Sequence, residues 1–168
     1  MMMLIRDEID RDASAIRSVV TEAMKLLPQS SGAEADIVDR LRADNALSLS
    51  LVAEDGGEVV GYLAASDAQI GDVTGWGLIG PVAVLPSRHG EGIGSALIAE
   101  AILRLRAGYK EAALVGDPGY YGRFGFTAFP GLRLGDVPAR FVQALPFDGS
   151  EPQGELIHHP AFGLEQKA

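Results

Sequence analysis

Residues 82–95 of the chain read VAVLPSRHGEGIGS, a short apolar segment followed by a glycine-rich turn. The apolar segment Val82–Val84 is typical of a buried strand, and glycines stand at alternate positions after it, at Gly90, Gly92 and Gly94. Glycine lets neighbouring backbone N–H groups turn toward one point, and the positive end of a following helix attracts an anion. The segment therefore predicts a strand, a turn able to hold a pyrophosphate group, and the start of a helix.

Other uses of such a turn are open at this point. A dinucleotide-binding fingerprint requires glycines spaced G-x-G-x-x-G after the first strand, whereas the third position counted from Gly90 is Ser95 and the turn lies mid-chain. A Walker loop requires Gly-Lys-Ser/Thr, which is missing from this turn. The glycines could also serve only a tight connection between strand and helix. A dinucleotide or nucleotide binder and a purely structural turn are therefore the alternatives.

The segments that flank the turn predict further strands and a long helix. Downstream, Gly92–Ala107 carries apolar residues at helical spacing, and Glu111–Val115 predicts a strand. Upstream, the apolar run Trp76–Leu85 predicts a strand that is covered on both faces. Pro81 lies inside this run and predicts a bulge or a sheet edge, because proline cannot donate a hydrogen bond to a neighbouring strand.

The rest of the chain adds elements at both ends of this core. They are a strand at Met2–Arg6, a helix with Ile16, Val19, Val20 and Ala23 on its apolar face, a helix with Ile37, Val38 and Leu41, a hairpin of Leu47–Glu54 and Glu58–Ala65, a short helix opened by the N-cap Asp117 and Pro118, and strands at Phe126–Phe129, Phe141–Leu145 and Glu155–His158. No repeat or linker divides the chain, so residues 1–168 are predicted to form a single domain.

Composition and charge exclude several classes of function. The 168 residues include 14 Lys and Arg against 23 Asp and Glu, a formal charge of −9 that argues against binding to nucleic acid or an anionic membrane. The absence of cysteine excludes disulfides, thiolate metal sites and a cysteine nucleophile. His158 and His159 are adjacent and have no carboxylate or cysteine at ligand spacing, so no metal site is predicted. No signal peptide or membrane span is recognisable, and we expect a cytoplasmic protein.

Two motifs within this order of elements resemble the signatures of the GNAT N-acetyltransferase superfamily. The acyl-CoA signature, Gln/Arg-x-x-Gly-x-Gly/Ala, corresponds to residues 89–94, HGEGIG. One position departs from it, because His89, preceded by Arg88, stands where the family has Gln or Arg. The second signature, Tyr-x-x-x-Gly-Phe, is matched by residues 121–126, YGRFGF. The longer strings GPVAVLP at 80–86 and LVGDPGYYGRFGF at 114–126 resemble the YhbS-like subgroup of predicted acetyltransferases.

The resemblance implies an α/β (α+β) fold in which a central mixed, mostly antiparallel sheet carries helices on both faces. It implies an enzyme that moves an acetyl group directly from acetyl-CoA to a primary amine of a small-molecule acceptor, without a metal. The thioester would lie where the strand that ends at Val84 splays from the strand that ends at Val115. Tyr121 would be the general acid, with Tyr120 as the substitute candidate. The implied acetyl-CoA-binding residues are Val82, Val84, Arg88, His89, Gly90, Gly92, Ile93, Gly94 and Ser95.

The general base is missing from its expected place. Many members of the superfamily carry a glutamate on the strand before the glycine turn, but Gly77–Val82 contains no carboxylate. The alternatives are Glu54, Asp67 or Asp72, a chain of waters, or no protein base at all, since a small fraction of an alkyl amine with a pKa of about 10 is already neutral at neutral pH. The same gap keeps a second function open, a non-catalytic acyl-CoA-binding or regulatory module on the same fold. A homodimer is compatible with the sequence.

Overall fold

The computed structural model describes residues 3–27, 30, 32–109 and 111–166, so the predicted strand start at Met2 lies outside the described residues. The strands within them are β1 (Met3–Asp7), β2 (Leu47–Asp55), β3 (Glu58–Ile70), β4 (Val73–Val84), β5 (Glu111–Val115), β6 (Leu132–Arg133), β7 (Val142–Pro146) and β8 (Gly154–Ile157). The α-helices are α1 (Ala13–Met24), α2 (Glu34–Ala43), α3 (Ile93–Gly108) and α4 (Pro118–Tyr121). In this part of the chain, no helix is long and apolar enough to cross a membrane.

One sheet organises these elements. Its strands lie in the order β1-β2-β3-β4-β5-β7, while β8 pairs with the last residues of β3 and with β6. The β4–β5 and β6–β8 pairs are parallel, and the other pairs are antiparallel. The predicted mixed, mostly antiparallel sheet is therefore confirmed.

The helices cover both faces of this sheet, as predicted. Successive residues of a strand point to opposite faces, so each long strand contributes to two apolar clusters. Leu51 and Ala53 of β2 pack with Leu97 of α3 on one face. Val52, which lies between them, packs with Val20 of α1 on the other face. The helix α2 lies on this second face as well, where its residues join the clusters that α1 and the C-terminal part of the chain form with the sheet.

The β2–β3 connection is the tight hairpin that the sequence predicts. Asp55 pairs with Glu58 across a two-residue turn, Gly56–Gly57. Both glycines have positive φ, +60° and +86°, the backbone that favoured two-residue hairpin turns require and that glycine adopts at least cost. This turn fixes the pairing of β2 with β3 at the hairpin end.

The strand β4 changes its pairing halfway along its length. From Trp76 to Ile79 it pairs with both β3 and β5, and the β4–β5 ladder ends at the pair Ile79–Leu114. The register to β3 then shifts, and beyond Pro81 the residues Val82–Val84 pair with β3 alone. The bulge predicted from Pro81 is therefore confirmed, and β4 and β5 separate where it begins.

The structure corrects three boundaries. The predicted strand Phe126–Phe129 is wrong, because the described chain there makes one isolated bridge, between Thr127 and Ala144. Gly125 precedes this segment with φ +98° and Pro130 follows it, so the chain can run along β7 for only a short distance. The strand β3 continues five residues past the predicted end at Ala65, to Ile70, and β4 begins at Val73 instead of Trp76.

Gly154, the first residue of β8, lies against the turn between β3 and β4. Its φ is +132°, and a Cβ atom at this position would lie 2.7 Å from the backbone nitrogen of Gly71 and 2.8 Å from its Cα. No L-amino acid side chain fits between these two backbones. The strand β8 can therefore approach the turn between β3 and β4 this closely only with glycine at position 154.

Candidate active site

The separation of β4 from β5 leaves one edge of β4 without a strand partner among the described residues. The Leu85 N–H donates to Val60 O of β3 at 2.9 Å, so it points toward β3. Alternate residues of a strand direct their N–H and C=O groups to opposite sides, and the groups of Val82 and Val84 therefore point into the split. The side chains of these two valines pack against the α3 cluster, while Ala83 packs on the α1 face. One side of the split is therefore a strand edge whose main-chain groups can form hydrogen bonds with a ligand.

The glycine-rich turn closes one end of this split. Gly90 and Gly92 both have φ +82°, and Gly92 is the residue before the first turn of α3. No side chain caps this helix, and no described residue accepts a hydrogen bond from the first-turn amides of Ile93, Gly94 and Ser95. Three free N–H groups at a positive helix end form the type of site that phosphate groups occupy.

The charged side chains of the turn are held by the chain itself. The Arg88 guanidinium pairs with Asp55 at 2.7 Å and with Glu91 at 3.0 Å. His89 Nε2 lies 3.0 Å from the carbonyl oxygen of Val84. The two side chains therefore fasten the turn to the β2–β3 hairpin and to the end of β4. The donors that remain for an anion are the backbone amides.

The short helix α4 brings two tyrosines to the same split. Asp117 caps it as predicted, since its Oδ1 accepts a hydrogen bond from the Gly119 N–H at 2.9 Å. Tyr120 reaches the first turn of α3, where a Cβ atom at Gly94 would lie 2.7 Å from its hydroxyl oxygen. The ring of Tyr121 meets that of Tyr120 edge-on, with centroids 4.9 Å apart.

Tyr121 lies beside the end of β5. Its ring covers Gly116, where a Cβ atom would lie 2.5 Å from the ring carbon Cε2, and its edge meets Phe126. Burial, together with the nearby Tyr120 and Asp117, raises the pKa of Tyr121 to about 12. No described residue accepts a hydrogen bond from its hydroxyl. Tyr121 is therefore a protonated donor that has no acceptor within the described chain.

None of the three candidate bases lies at the split. Glu54 is paired with Arg6 at 2.9 Å and opposite Val59 in the sheet. Asp67 accepts hydrogen bonds from Ser48 and Tyr109 and lies opposite Gly77, before the bulge. Asp72 lies in the turn between β3 and β4, at the far end of β4. The described residues thus place no carboxylate from this set next to Val82–Val84.

Sequence reasoning missed one polar residue at this site, Gln143 of β7. It is fully buried, and its Nε2 donates to the carbonyl oxygen of Gly116 at 2.9 Å. A glutamine between apolar residues in a short strand was the only signal that could have drawn attention to it.

The two adjacent histidines are engaged elsewhere: His158 packs on Phe162 and His159 pairs with Asp44. The described residues contain no group of three or more His, Cys, Asp or Glu that could hold a metal ion.

Comparison with known sequences identifies the family that the two sequence motifs resemble. The sequence model of the acetyltransferase (GNAT) domain matches residues 46–128. The uncharacterized N-acetyltransferase YhbS of Escherichia coli K12 is 39% identical over 127 residues, which are 74% of this chain and 73% of YhbS. YjhQ of the same organism, also named an uncharacterized N-acetyltransferase, is 34% identical over 126 residues, 71% of this chain and 67% of YjhQ.

Two solved structures have the same fold over nearly the whole chain. A GNAT family acetyltransferase from Brucella melitensis, in complex with acetyl-CoA, has a TM-score of 0.85 and 45% identity over 96% of this chain and 98% of its own. Escherichia coli YhbS, in complex with CoA, has a TM-score of 0.87 and 32% identity over 96% of this chain and 92% of its own. The resemblance that the two sequence motifs indicate is therefore confirmed.

Proposed function

This chain belongs to the GNAT acetyltransferase family, and from that membership we propose that it moves an acetyl group directly from acetyl-CoA to a primary amine of a small acceptor, as a single domain over residues 1–168. The observation that carries the proposal is the split edge of β4 next to the uncapped start of α3. The relatives from Brucella melitensis and Escherichia coli were solved with acetyl-CoA and with CoA, which supports this choice of donor substrate.

The donor substrate would lie along the split. The amide groups of pantetheine would pair with the main-chain groups that Val82 and Val84 direct into the split, as an added strand pairs with a sheet edge. The Val84 carbonyl oxygen is excepted, because His89 Nε2 already contacts it. The pyrophosphate would accept hydrogen bonds from the turn 88–95, whose donors are backbone amides at Gly90, Gly92, Ile93, Gly94 and Ser95. Arg88 and His89 support this turn through Asp55, Glu91 and Val84. A protein of charge −9 can bind an anion in this way because oriented amides supply local positive potential.

The chemical step needs three contributions from the chain. The neutral amine nitrogen attacks the thioester carbonyl carbon, and the carbonyl oxygen becomes an oxyanion that a backbone N–H near Val84 stabilises. The carbon–sulfur bond then breaks, and Tyr121 donates its phenolic proton to the departing sulfur. The amine loses its proton to water, because none of the three candidate carboxylates is at the split, and water returns a proton to the Tyr121 phenolate to complete the cycle. The raised pKa of Tyr121, about 12, keeps the phenol protonated throughout the neutral range.

The same missing carboxylate favours one alternative, a regulatory module that binds acyl-CoA without catalysis. An assay of thiol release from acetyl-CoA, with a panel of diamines, amino sugars, amino-acid amides and peptide N-termini at several pH values, separates the two. Thiol release together with an acetylated amine detected by mass spectrometry supports the transferase. Thermal stabilisation by acetyl-CoA without turnover of any amine supports the module, and stabilisation by NAD or ATP but not CoA contradicts both.

Ser95 offers a direct test of the donor site. A Ser95→Asp variant places a carboxylate in the first turn of α3, where it stabilises the free helix but repels the pyrophosphate. We expect the acetyl-CoA dissociation constant, measured by calorimetry, to rise about tenfold, while Tm without ligand stays equal or rises slightly. Ser95→Asn has nearly the same shape without the charge, and its affinity should stay within about threefold of the parent chain. Equal affinities for the Asp and Asn variants would contradict a pyrophosphate at this helix end.

A further inference from the structure

Gln143 is a fully buried polar side chain that the proposed chemistry does not use. It lies in β7 opposite Leu114 of β5. Its Nε2 donates to the Gly116 carbonyl oxygen at 2.9 Å, while its Oε1 has no hydrogen-bond partner among the described residues. Burying an amide with one group unpaired costs free energy. The hydrogen bond to Gly116 is therefore the feature of Gln143 for which we look for a role.

The bond completes a clamp on Gly116. The Gly116 N–H donates to the carbonyl oxygen of Phe141 at 2.9 Å, and the Gly116 carbonyl accepts from Gln143. Both main-chain polar groups of Gly116 are thus held, one by Phe141 directly before β7 and the other by Gln143 of β7. Gly116 follows the last residue of β5 and precedes Asp117, the cap of α4. The clamp therefore sets the point from which α4 leaves the sheet.

The ring of Tyr121 packs directly against Gly116. A Cβ atom at Gly116 would lie 2.5 Å from Cε2 and 2.9 Å from Cδ2 of this ring, so the ring rests on the bare Cα. No hydrogen bond to the described chain fixes the hydroxyl. The position of the phenol then depends on packing against Gly116, Phe126 and Tyr120. A displacement of Gly116 would therefore change the surface on which the Tyr121 ring packs.

We propose that Gln143 is a positioning residue that holds Gly116 in place and thereby directs the Tyr121 hydroxyl toward the reacting sulfur. This inference rests on the proposed function, in which Tyr121 is the general acid. Only a donor can satisfy the Gly116 carbonyl from this position. An apolar residue of the same size would take this donor away from the half-buried Gly116 carbonyl and leave the turn less restrained.

A paired substitution tests the role. Gln143→Met keeps the approximate volume and removes the donor, and we expect kcat to fall about tenfold while the KM for acetyl-CoA stays within about twofold. Gln69→Met is the matched control, because Gln69 also donates to a glycine carbonyl, that of Gly71 at 2.8 Å, at the far end of the sheet. This control should leave kcat unchanged. A change in KM instead of kcat, or an equal loss in both variants, would overturn the proposal.

The Tyr121→Phe background shows whether the effect passes through Tyr121. If Gln143 acts by directing the hydroxyl, Gln143→Met should lower kcat less than about twofold once that hydroxyl is gone. The same tenfold loss in both backgrounds would show a general structural role and refute the inference.

Gln143→Glu adds a pH readout. A protonated carboxyl group can donate to the Gly116 carbonyl, whereas a carboxylate cannot. The activity of Gln143→Glu divided by that of the parent chain should therefore approach one at the lowest pH of the assay and fall as the pH rises. The same ratio for Gln143→Met should stay constant. A Glu variant no better than the Met variant at the lowest pH would count against the inference.

A spectroscopic readout separates this inference from the proposed function. In protein labelled with [13Cζ]tyrosine, the Tyr121 resonance is assigned by its loss in Tyr121→Phe. It should shift in Gln143→Met and stay unchanged in Gln69→Met, whether or not any amine is acetylated. An unchanged Tyr121 signal in Gln143→Met would refute the positioning role, even if amine acetylation is observed. A shifted signal without turnover of any amine would retain the positioning of Tyr121 and reject the transferase.

Discussion

Tyr121→Phe is expected to lower kcat for amine acetylation by about 100-fold, the lower end of what a general acid contributes. The substitution removes one hydroxyl that has no hydrogen-bond partner in the described chain and keeps the ring that packs on Gly116 and Phe126. The fold should therefore be unaffected, and the acetyl-CoA dissociation constant should stay within about twofold. Steady-state kinetics with calorimetric binding separates the two quantities. Unchanged turnover would remove Tyr121 from the mechanism.

Tyr120→Phe is the matched control, since it makes the same change on the neighbouring residue. The Tyr120 hydroxyl lies against Gly94 in the first turn of α3, beside the proposed pyrophosphate site. Its loss should alter the KM for acetyl-CoA more than kcat. The opposite result, a 100-fold loss of kcat in Tyr120→Phe alone, would exchange the roles of the two residues.

Gly154→Ala is expected to have the largest effect on stability. The new methyl group would lie 2.7 Å from the backbone nitrogen of Gly71, and φ +132° is accessible to essentially no other residue. Because backbone atoms on both sides cannot move without breaking the β3–β8 pairing, we expect a loss of about 3 kcal/mol in the free energy of unfolding. For a chain of this size that corresponds to a fall in Tm of about 6–12 °C, measurable by calorimetry.

Gly108→Ala provides the comparison for this loss. Gly108 ends α3, has no positive φ, and a Cβ atom there would meet nothing within 4 Å apart from its chain neighbours and the backbone of its own helix. Its substitution should change the free energy of unfolding by no more than about 0.5 kcal/mol. An equally small change in the free energy of unfolding for Gly154→Ala would contradict the close contact between Gly154 and Gly71.

The elements that the sequence predicts well are those with local causes. The helix α3 begins and ends within one residue of its predicted bounds, because its apolar spacing and flanking glycines are both present in the sequence. The β2–β3 hairpin follows from Gly56–Gly57, and the β4 bulge follows from Pro81. Each of these features is determined by residues within a short stretch of chain.

The features that escaped prediction depend on contacts between distant segments. Nothing local to Phe126–Phe129 shows that only one residue of this segment pairs with β7. The link between Gln143 and Gly116 joins residues 27 positions apart, and the ion pair of Arg88 with Asp55 joins residues 33 apart. The sequence indicates which residues of the turn 88–95 belong together. It does not indicate that the side chains of Arg88 and His89 are already engaged with the chain itself.

The proposed donor site has a consequence for mutational tolerance. Its walls are the main-chain groups of Val82 and Val84 and the amides at the start of α3, and every residue except proline carries those groups. Exchanging one valine for another apolar residue of similar shape leaves the binding groups in place. Only a substitution that removes an amide, fills the space above a glycine or adds negative charge attacks the site. Donor recognition can therefore persist in relatives of low identity, while the residues that face the acceptor are free to diverge.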